Sequence, residues 1–112
     1  MKTIPVKTAY LEMRQPPSGL NPTPPVDSCL IMQARKPTVT FYRFLYGVVG
    51  KDWLWVNRLI MSEEELSKLL ENAAIEVFVL YVGGVPAGYA ELDRRIPNEI
   101  ELAYFGLMPE FI

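Results

Sequence analysis

The chain has 112 residues, of which 50% are hydrophobic and 21% are charged, the balance of an ordinary globular domain. Its net charge of −2 gives no broad attraction to nucleic acid or to an anionic membrane. One cysteine and no histidine argue against an internal disulfide, a conventional metal site and a Ser-His or Cys-His nucleophile. We therefore expect one cytoplasmic domain over residues 1–112, with no signal peptide and no metal.

The first third of the sequence is rich in prolines. Residues 6–14 mix β-branched and aromatic residues between Pro5 and Pro16, which predicts a first strand. The five prolines of residues 16–25 predict a loop, because proline is excluded from helix interiors and inner strands. The short apolar run at residues 28–34 is compatible with either a strand or a buried turn.

Beyond Pro37 the hydrophobic period becomes that of a helix. One apolar stripe is made by Phe41, Phe44, Leu45 and Val48, and a second lies beside it at Tyr42, Tyr46 and Val49. The second stripe indicates either a helix packed on two sides or a face turned toward a ligand groove. Gly50 is predicted to end this helix as a left-handed cap.

A tryptophan-containing connection leads to a second predicted helix. Trp53 and Trp55 alternate in what we expect to be an extended segment, where they either seal the core or line a site. A capping box follows, with Ser62 at the N-cap and Glu65 three residues later. The acidic run is therefore interpreted as a helix start and not as a metal site, and Asn72 is the predicted stop.

Three strands are predicted to close the sequence. Residues 76–82 are nearly continuously apolar, as in a central strand. Gly83-Gly84 is a two-residue hairpin signal, and residues 85–93 and 99–107 form the next two strands. The order is strand, two helices and a three-stranded antiparallel meander, which predicts an α+β fold with a mixed α/β sheet.

The closing stretch "EIELAYFGLMPEF", with "FYRFLYGVVG" and "VGGVPAGYAELD", resembles the N-terminal half of the GNAT superfamily of N-acetyltransferases. In that family the fourth strand runs into a Val/Leu-x-Pro-x-aromatic step, matched here by residues 107–111. A glycine-rich loop that grips the pyrophosphate of acetyl-coenzyme A follows at once, and here it would begin at about Ile112. The resemblance implies a truncated chain, inactive as this fragment, from an enzyme that acetylates a primary amine of a small molecule or peptide.

The resemblance also implies a general base. Family members place on this strand a carboxylate that deprotonates the amine through water, and Glu101 occupies the matching position between apolar neighbours that would remove it from solvent. Glu99 and Glu101 alternate, however, so both can instead belong to a solvated face. Glu91 on the neighbouring strand is a second candidate, because antiparallel pairing would bring it near Glu101.

Cofactor and substrate contacts follow from the same resemblance. The backbone of Phe105, Gly106 and Leu107 would pair with the pantetheine arm of acetyl-coenzyme A and supply an oxyanion donor, with a strand bulge at Gly106. Substrate contacts would come from the helix region, from Phe41, Tyr42, Tyr46, Trp53 and Trp55. These aromatics would suit an amine with an apolar or cationic part, or they are plain core residues.

Two functional classes stay open at this point. One is the acetyl-coenzyme A-dependent N-acetyltransferase, and the other is a non-enzymatic α+β module that binds a partner or an aromatic ligand. The last strand would leave an unpaired edge, which predicts a homodimer or another association through that edge.

Overall fold

The computed structural model describes residues 3–19, 23 and 28–112. In chain order these residues form strand β1 (Cys29–Gln33), helix α1 (Val39–Gly50), a 3₁₀ helix (Lys51–Trp53), helix α2 (Glu63–Glu71), strands β2 (Ile75–Val82), β3 (Val85–Asp93) and β4 (Glu101–Leu107), and a second 3₁₀ helix (Pro109–Phe111). The four strands make one antiparallel sheet in the order β1-β2-β3-β4. This layout confirms the predicted α+β fold.

The first strand lies later in the chain than predicted. Residues 6–14 are exposed and have no regular secondary structure, whereas Cys29–Gln33 pairs with β2. β-Branched and aromatic residues give a segment only a local preference for the extended conformation. A strand also needs a partner strand to supply its hydrogen bonds. Part of the predicted proline loop, residues 20–22 and 24–25, lies outside the described residues.

Side chains cap the N-termini of both helices. The Thr38 side chain accepts a hydrogen bond from the backbone N–H of Phe41 at 3.1 Å. The predicted capping box is confirmed, since the Ser62 hydroxyl accepts from the Glu65 N–H at 3.1 Å and the Glu65 carboxylate accepts from the Ser62 N–H at 3.2 Å. Helix α2 ends at Glu71, and Asn72, the predicted stop, is its C-cap residue.

The predicted left-handed cap at Gly50 is wrong. Gly50 has a φ of −84° and the chain runs on into the 3₁₀ helix, which ends at Leu54 with a φ of 59°. Glycine is needed at position 50 for a different reason, because a Cβ there would lie 2.6 Å from the Trp55 side chain. The 3₁₀ helix and the turn after it also replace the extended segment expected around Trp53.

The two helices cover one face of the sheet and leave the other face open. Alternate residues of a strand point to opposite faces. The covered side holds the core, which includes Leu45 and Val49 of α1, Leu66 of α2 and Val77 and Val79 of β2. The strand positions of opposite parity form what we call the open face, which includes the polar residues Gln33 and Glu76 and the apolar or small residues Ile31, Phe78, Leu80, Gly88, Ala90, Leu92, Leu102, Phe105 and Leu107.

Candidate functional site

One charged side chain is fully buried among the described residues, and it lies at the centre of the covered face. Glu91 of β3 is 0% exposed. The Tyr42 hydroxyl donates a hydrogen bond to its Oε1, and Arg58 Nη2 donates to its Oε2 at 2.8 Å. The Arg58 side chain is itself only 17% exposed. We call the carboxylate and its surroundings the Glu91 cluster, which consists of Tyr42, Tyr46, Trp55, Arg58, Tyr89, Glu91 and Tyr104.

Simple periodicities bring these side chains together. Tyr42 and Tyr46 are four residues apart on α1 and so share one helix face. Tyr89 and Glu91 are two residues apart on β3 and share one sheet face. Tyr104 joins them because the register of β4 places it directly opposite Glu91.

The aromatic rings of the cluster contact one another edge to face and at a tilt. Ring centroids are 5.0 Å apart for Tyr46 and Tyr104, 5.1 Å for Trp55 and Tyr104, and 6.4 Å for Trp55 and Tyr89. The Arg58 guanidinium carbon lies 5.1 Å from the centre of the Tyr104 ring. These separations are typical of favourable aromatic pairs and of a cation–π contact.

Electrostatics fix the protonation of the cluster around neutral pH. Burial raises the pKa of Tyr42 well above the ordinary value, and the charge of Glu91 raises it further. Burial alone would lower the pKa of Arg58, but its hydrogen bond and ion pair with Glu91 more than compensate. Burial likewise raises the pKa of Tyr46 to about 12, against a smaller lowering by the Arg58 N–H that its hydroxyl accepts at 3.2 Å. Tyr42 and Tyr46 are therefore neutral and Arg58 is charged.

Two polar atoms in the cluster are buried without a hydrogen-bond partner among the described residues, Arg58 Nε and the Tyr89 hydroxyl. A buried donor without a partner destabilises a fold by about 1–3 kcal/mol. In this cluster the carboxylate therefore has its hydrogen-bond donors, whereas two polar atoms around it have no partner among the described residues. The Glu91 carboxylate is inaccessible to a substrate, because both of its oxygens already accept hydrogen bonds and it has no access to solvent.

The predicted base, Glu101, lies outside this cluster. It is exposed at the start of β4, where it pairs with Asp93. The expected removal of Glu101 from solvent is therefore wrong, and the carboxylate that is buried is Glu91. The two are not opposite each other either, because Tyr104 occupies the position across from Glu91.

The three residues predicted to bind the cofactor lie at the end of β4, an edge strand that pairs only with β3 among the described residues. Phe105 points to the open face and is 64% exposed, and Leu107 is partly buried. The predicted bulge at Gly106 is wrong, because the extra residue in the β3–β4 register is Ala103. Gly106 is instead a packing position, since a Cβ there would lie 2.5 Å from Cγ1 of Val49.

The five predicted substrate residues do not line one groove. Tyr42 and Tyr46 are buried in the core, and Trp55 packs beside them in the Glu91 cluster. Trp53 is 60% exposed, and Phe41 packs at the edge of the core. Three of the five are thus brought together, in the arrangement expected of core aromatics.

Sequence reasoning missed Arg58, Tyr89 and Tyr104. A signal for Arg58 was present, because it is the one charged residue between Asp52 and Glu63 in a mostly apolar connection. A lone arginine in such a segment indicates a buried or half-buried partner, since charged side chains are almost never fully buried unless they are paired.

Comparisons with known proteins identify no relative of this chain. The chain matches no family model, no curated protein and no solved structure. Within residues 3–19, 23 and 28–112, no group of three or more His, Cys, Asp or Glu side chains is placed to hold a metal ion. No helix in the part of the chain that the structure describes is long and apolar enough to cross a membrane.

Proposed function

We propose that this chain belongs to an acetyl-coenzyme A-dependent N-acetyltransferase that acts on a primary amine of a small molecule or peptide. The observation that carries the proposal is the edge of β4 beside Phe105, Gly106 and Leu107, which pairs with no strand among the described residues and is followed at once by the Pro109–Phe111 turn. An edge strand offers its backbone N–H and C=O groups to an added extended chain. The pantetheine arm of coenzyme A carries amide groups that suit such pairing.

The reaction needs only a few groups. The amine nitrogen attacks the thioester carbonyl, so that a C–N bond forms and the C–S bond breaks, and coenzyme A leaves as the thiolate. Glu101 takes the amine proton through water, which its exposed position at the start of β4 permits. Backbone N–H groups at the end of β4 stabilise the developing oxyanion.

The Glu91 cluster has a positioning role in this proposal. Its hydrogen bonds connect α1, through Tyr42, and the connection after the first 3₁₀ helix, through Arg58, to the middle of β3. Val49 of α1 then rests directly on Gly106 of β4. The cluster thereby holds the helix layer against the strand whose edge is proposed to bind the cofactor.

The first test assays the natural protein that contains these residues for release of thiol from acetyl-coenzyme A in the presence of a primary amine. Amine-dependent thiol release is expected, and its absence contradicts the proposal. In that protein, Glu101→Gln should lower the rate of thiol release from acetyl-coenzyme A at least about 100-fold. Glu99→Gln is the matched control because it removes a neighbouring exposed carboxylate, and it should change the rate less than about twofold.

A second test uses the 112-residue chain alone. Calorimetric titration with acetyl-coenzyme A should give no measurable binding, because the resemblance assigns the pyrophosphate contacts to a loop that these residues do not include. Clear micromolar binding would overturn the expectation that these 112 residues lack part of the cofactor site.

The alternative function, a non-enzymatic interaction module, is favoured by a different observation. The only fully buried carboxylate of the described residues is already bound by Tyr42 and Arg58, while a broad apolar surface lies on the open face. Absence of amine-dependent thiol release by the wild-type protein would support this alternative.

A further inference from the structure

A strand-like segment without a strand partner among the described residues lies at residues 6–14, which we call the arm. Its sequence, VKTAYLEMR, contains no proline or glycine and is bounded by Pro5 and Pro16. All nine residues are exposed, including Tyr10 at 92% and Leu11 at 95%. Segments that stay disordered are poor in aromatic and β-branched residues. The arm has instead the composition of a strand, and its exposed apolar side chains indicate that it pairs with another segment.

The free edge of β1 offers the backbone groups that such a segment needs. The Ala34 N–H donates to the Val77 carbonyl of β2 at 2.8 Å, and no bulge interrupts the register between the two strands. In an antiparallel pair, the residues of one strand turn their N–H and C=O groups alternately toward the partner and away from it. The residues that direct these groups away from β2 are therefore Cys29, Ile31 and Gln33.

The side chains of β1 are exposed on both faces of the sheet. Leu30 and Met32, on the face that the helices cover elsewhere, are 52% and 53% exposed, and Ile31 on the open face is 68% exposed. The arm likewise has apolar residues on both of its faces, since Tyr10 and Leu11 are adjacent and point to opposite sides of an extended chain. A strand added beside β1 would thus cover apolar side chains on both faces while it pairs the backbone.

The arm and the β1 edge belong to the same chain but do not meet within it. No backbone hydrogen bond joins residues 6–14 to β1 among the described residues. A return of the arm to its own β1 would have to close over residues 15–28, which contain five prolines. Proline-rich connections act as semi-rigid spacers, which favours reaching a second chain over folding back.

We propose that the arm of one copy pairs as a fifth strand with the free β1 edge of a second copy, and that two copies exchange their arms in this way. A second copy suits the edge because each chain carries both the added strand and the edge that receives it. The exchange is reciprocal, so the assembly closes as a two-fold dimer. The edge of β4 takes no part, and the exchange does not depend on acetyl transfer.

The first test measures the mass of the 112-residue chain by sedimentation equilibrium from about 1 to 500 μM, the range that brackets a micromolar dissociation constant. A monomer–dimer equilibrium is expected. Tyr10→Pro/Leu11→Pro should weaken the dimer at least tenfold, because adjacent residues turn their N–H groups to opposite sides and one of the two prolines therefore lacks a donor toward β1. Thr3→Pro/Ile4→Pro is the matched control, since it adds two prolines at exposed positions outside the arm, and it should leave the dimer unchanged.

A second pair of variants tests the edge that receives the arm. Ile31→Pro removes an N–H that points away from β2, and proline is tolerated in an edge strand at such a position. This variant should weaken the dimer at least tenfold. Phe105→Pro is the matched control on the opposite edge, because the Met108 N–H donates to the Ala87 carbonyl and the same alternation turns the Phe105 N–H away from β3. It should leave the dimer unchanged.

Amide hydrogen exchange identifies the pairing directly. The N–H groups of Cys29, Ile31 and Gln33, and about half of those in the arm, should become protected as the concentration rises through the dimer transition.

Three results would overturn the proposal. One is a wild-type chain that stays monomeric up to hundreds of micromolar, and another is a dimer that survives the proline substitutions in the arm. The third is protection of the arm that does not depend on concentration, which would show that it pairs within its own chain. Circular dichroism checks that each variant is folded. The variant in the arm decides the question even if Ile31→Pro unfolds, because it changes only exposed residues outside the sheet.

Discussion

Tyr42 and Tyr89 are two buried phenols of the same cluster that differ in one respect, the partner of the hydroxyl. Tyr42 donates to Glu91, whereas the Tyr89 hydroxyl has no hydrogen-bond partner among the described residues. Tyr42→Phe should lower the free energy of unfolding by about 1–3 kcal/mol, because the buried carboxylate loses a donor. Tyr89→Phe should leave it unchanged or raise it slightly. Urea denaturation of the two variants checks this, and equal losses would contradict the assigned hydrogen bond.

The charge of Glu91 matters through its partner. Glu91→Gln keeps the shape of the side chain but leaves the half-buried Arg58 without its counter-charge, which should lower the free energy of unfolding by about 3 kcal/mol. The double variant Glu91→Leu/Arg58→Met should recover part of this loss, since replacing both charges removes the unpaired one. Glu101→Gln is the control, with an expected change below about 0.5 kcal/mol at an exposed site. Denaturant unfolding of the three variants measures these differences.

The local sequence does not distinguish the buried Glu91 from the exposed Glu101. Each glutamate stands between apolar neighbours, so the local pattern is the same. Which one is buried depends on the covering helices and on the extra residue Ala103, which shifts the register of β4. Neither the position of the helices nor the register of β4 is encoded in the residues next to the glutamates.

At the scale of elements, the contact between α1 and β4 depends on a glycine. A Cβ on Gly106 would lie 2.5 Å from Cγ1 of Val49, a buried and conformationally stiff side chain. Gly106→Ala should therefore lower the free energy of unfolding by about 1–3 kcal/mol. Gly47→Ala is the matched control within α1, where nothing lies within 4 Å of the added carbon, and it should be stabilising by about 0.5–1 kcal/mol.

A double variant identifies the cause of the loss. Val49→Ala should be less harmful in the Gly106→Ala background than in the wild type, because it removes the atom that clashes. Thermal unfolding of the four chains gives this interaction free energy. A purely additive result would contradict the contact between the two residues.

The elements that could be predicted are those whose signals are local. The Gly83-Gly84 hairpin, with both glycines at positive φ, and the capping box at Ser62 depend on neighbouring residues alone. Residues 6–14 have a local strand pattern as strong as these signals, but they pair with no strand among the described residues. The weaker apolar run at Cys29–Gln33 pairs with β2. Which of these two segments becomes a strand is decided by pairing with β2, which lies far along the sequence. Local composition does not specify that pairing.

At the scale of the whole molecule, the buried phenols make stability depend on alkaline pH. In the unfolded chain a tyrosine ionises near pH 10, whereas in the folded chain burial raises the pKa of Tyr46 to about 12 and that of Tyr42 further. A raised pKa contributes stability that is fully present below about pH 10 and is lost as pH rises toward the folded values. The free energy of unfolding should therefore fall above about pH 10. Tyr46→Phe should weaken this dependence, and unfolding with tyrosinate absorbance from pH 8 to 12 measures it.

The sequence also left the arrangement of the layers undetermined. Periodicity predicted two helices and a meander, but it did not indicate that both helices lie on one side of the sheet. The Glu91 cluster depends on that arrangement, because its members come from α1, the connection at Arg58, β3 and β4. A site assembled from four separate parts of the chain has no contiguous motif by which it could be predicted.

The strand order also has a consequence for folding kinetics. β2, β3 and β4 are consecutive in the chain and can form by short-range contacts, whereas β1 reaches β2 only across both helices. Contacts between distant parts of a chain form late, because closing the long loop between them costs entropy before any contact is gained. We expect β1 to join the sheet last and to detach first, so that its amide hydrogens exchange with solvent ahead of those of the meander.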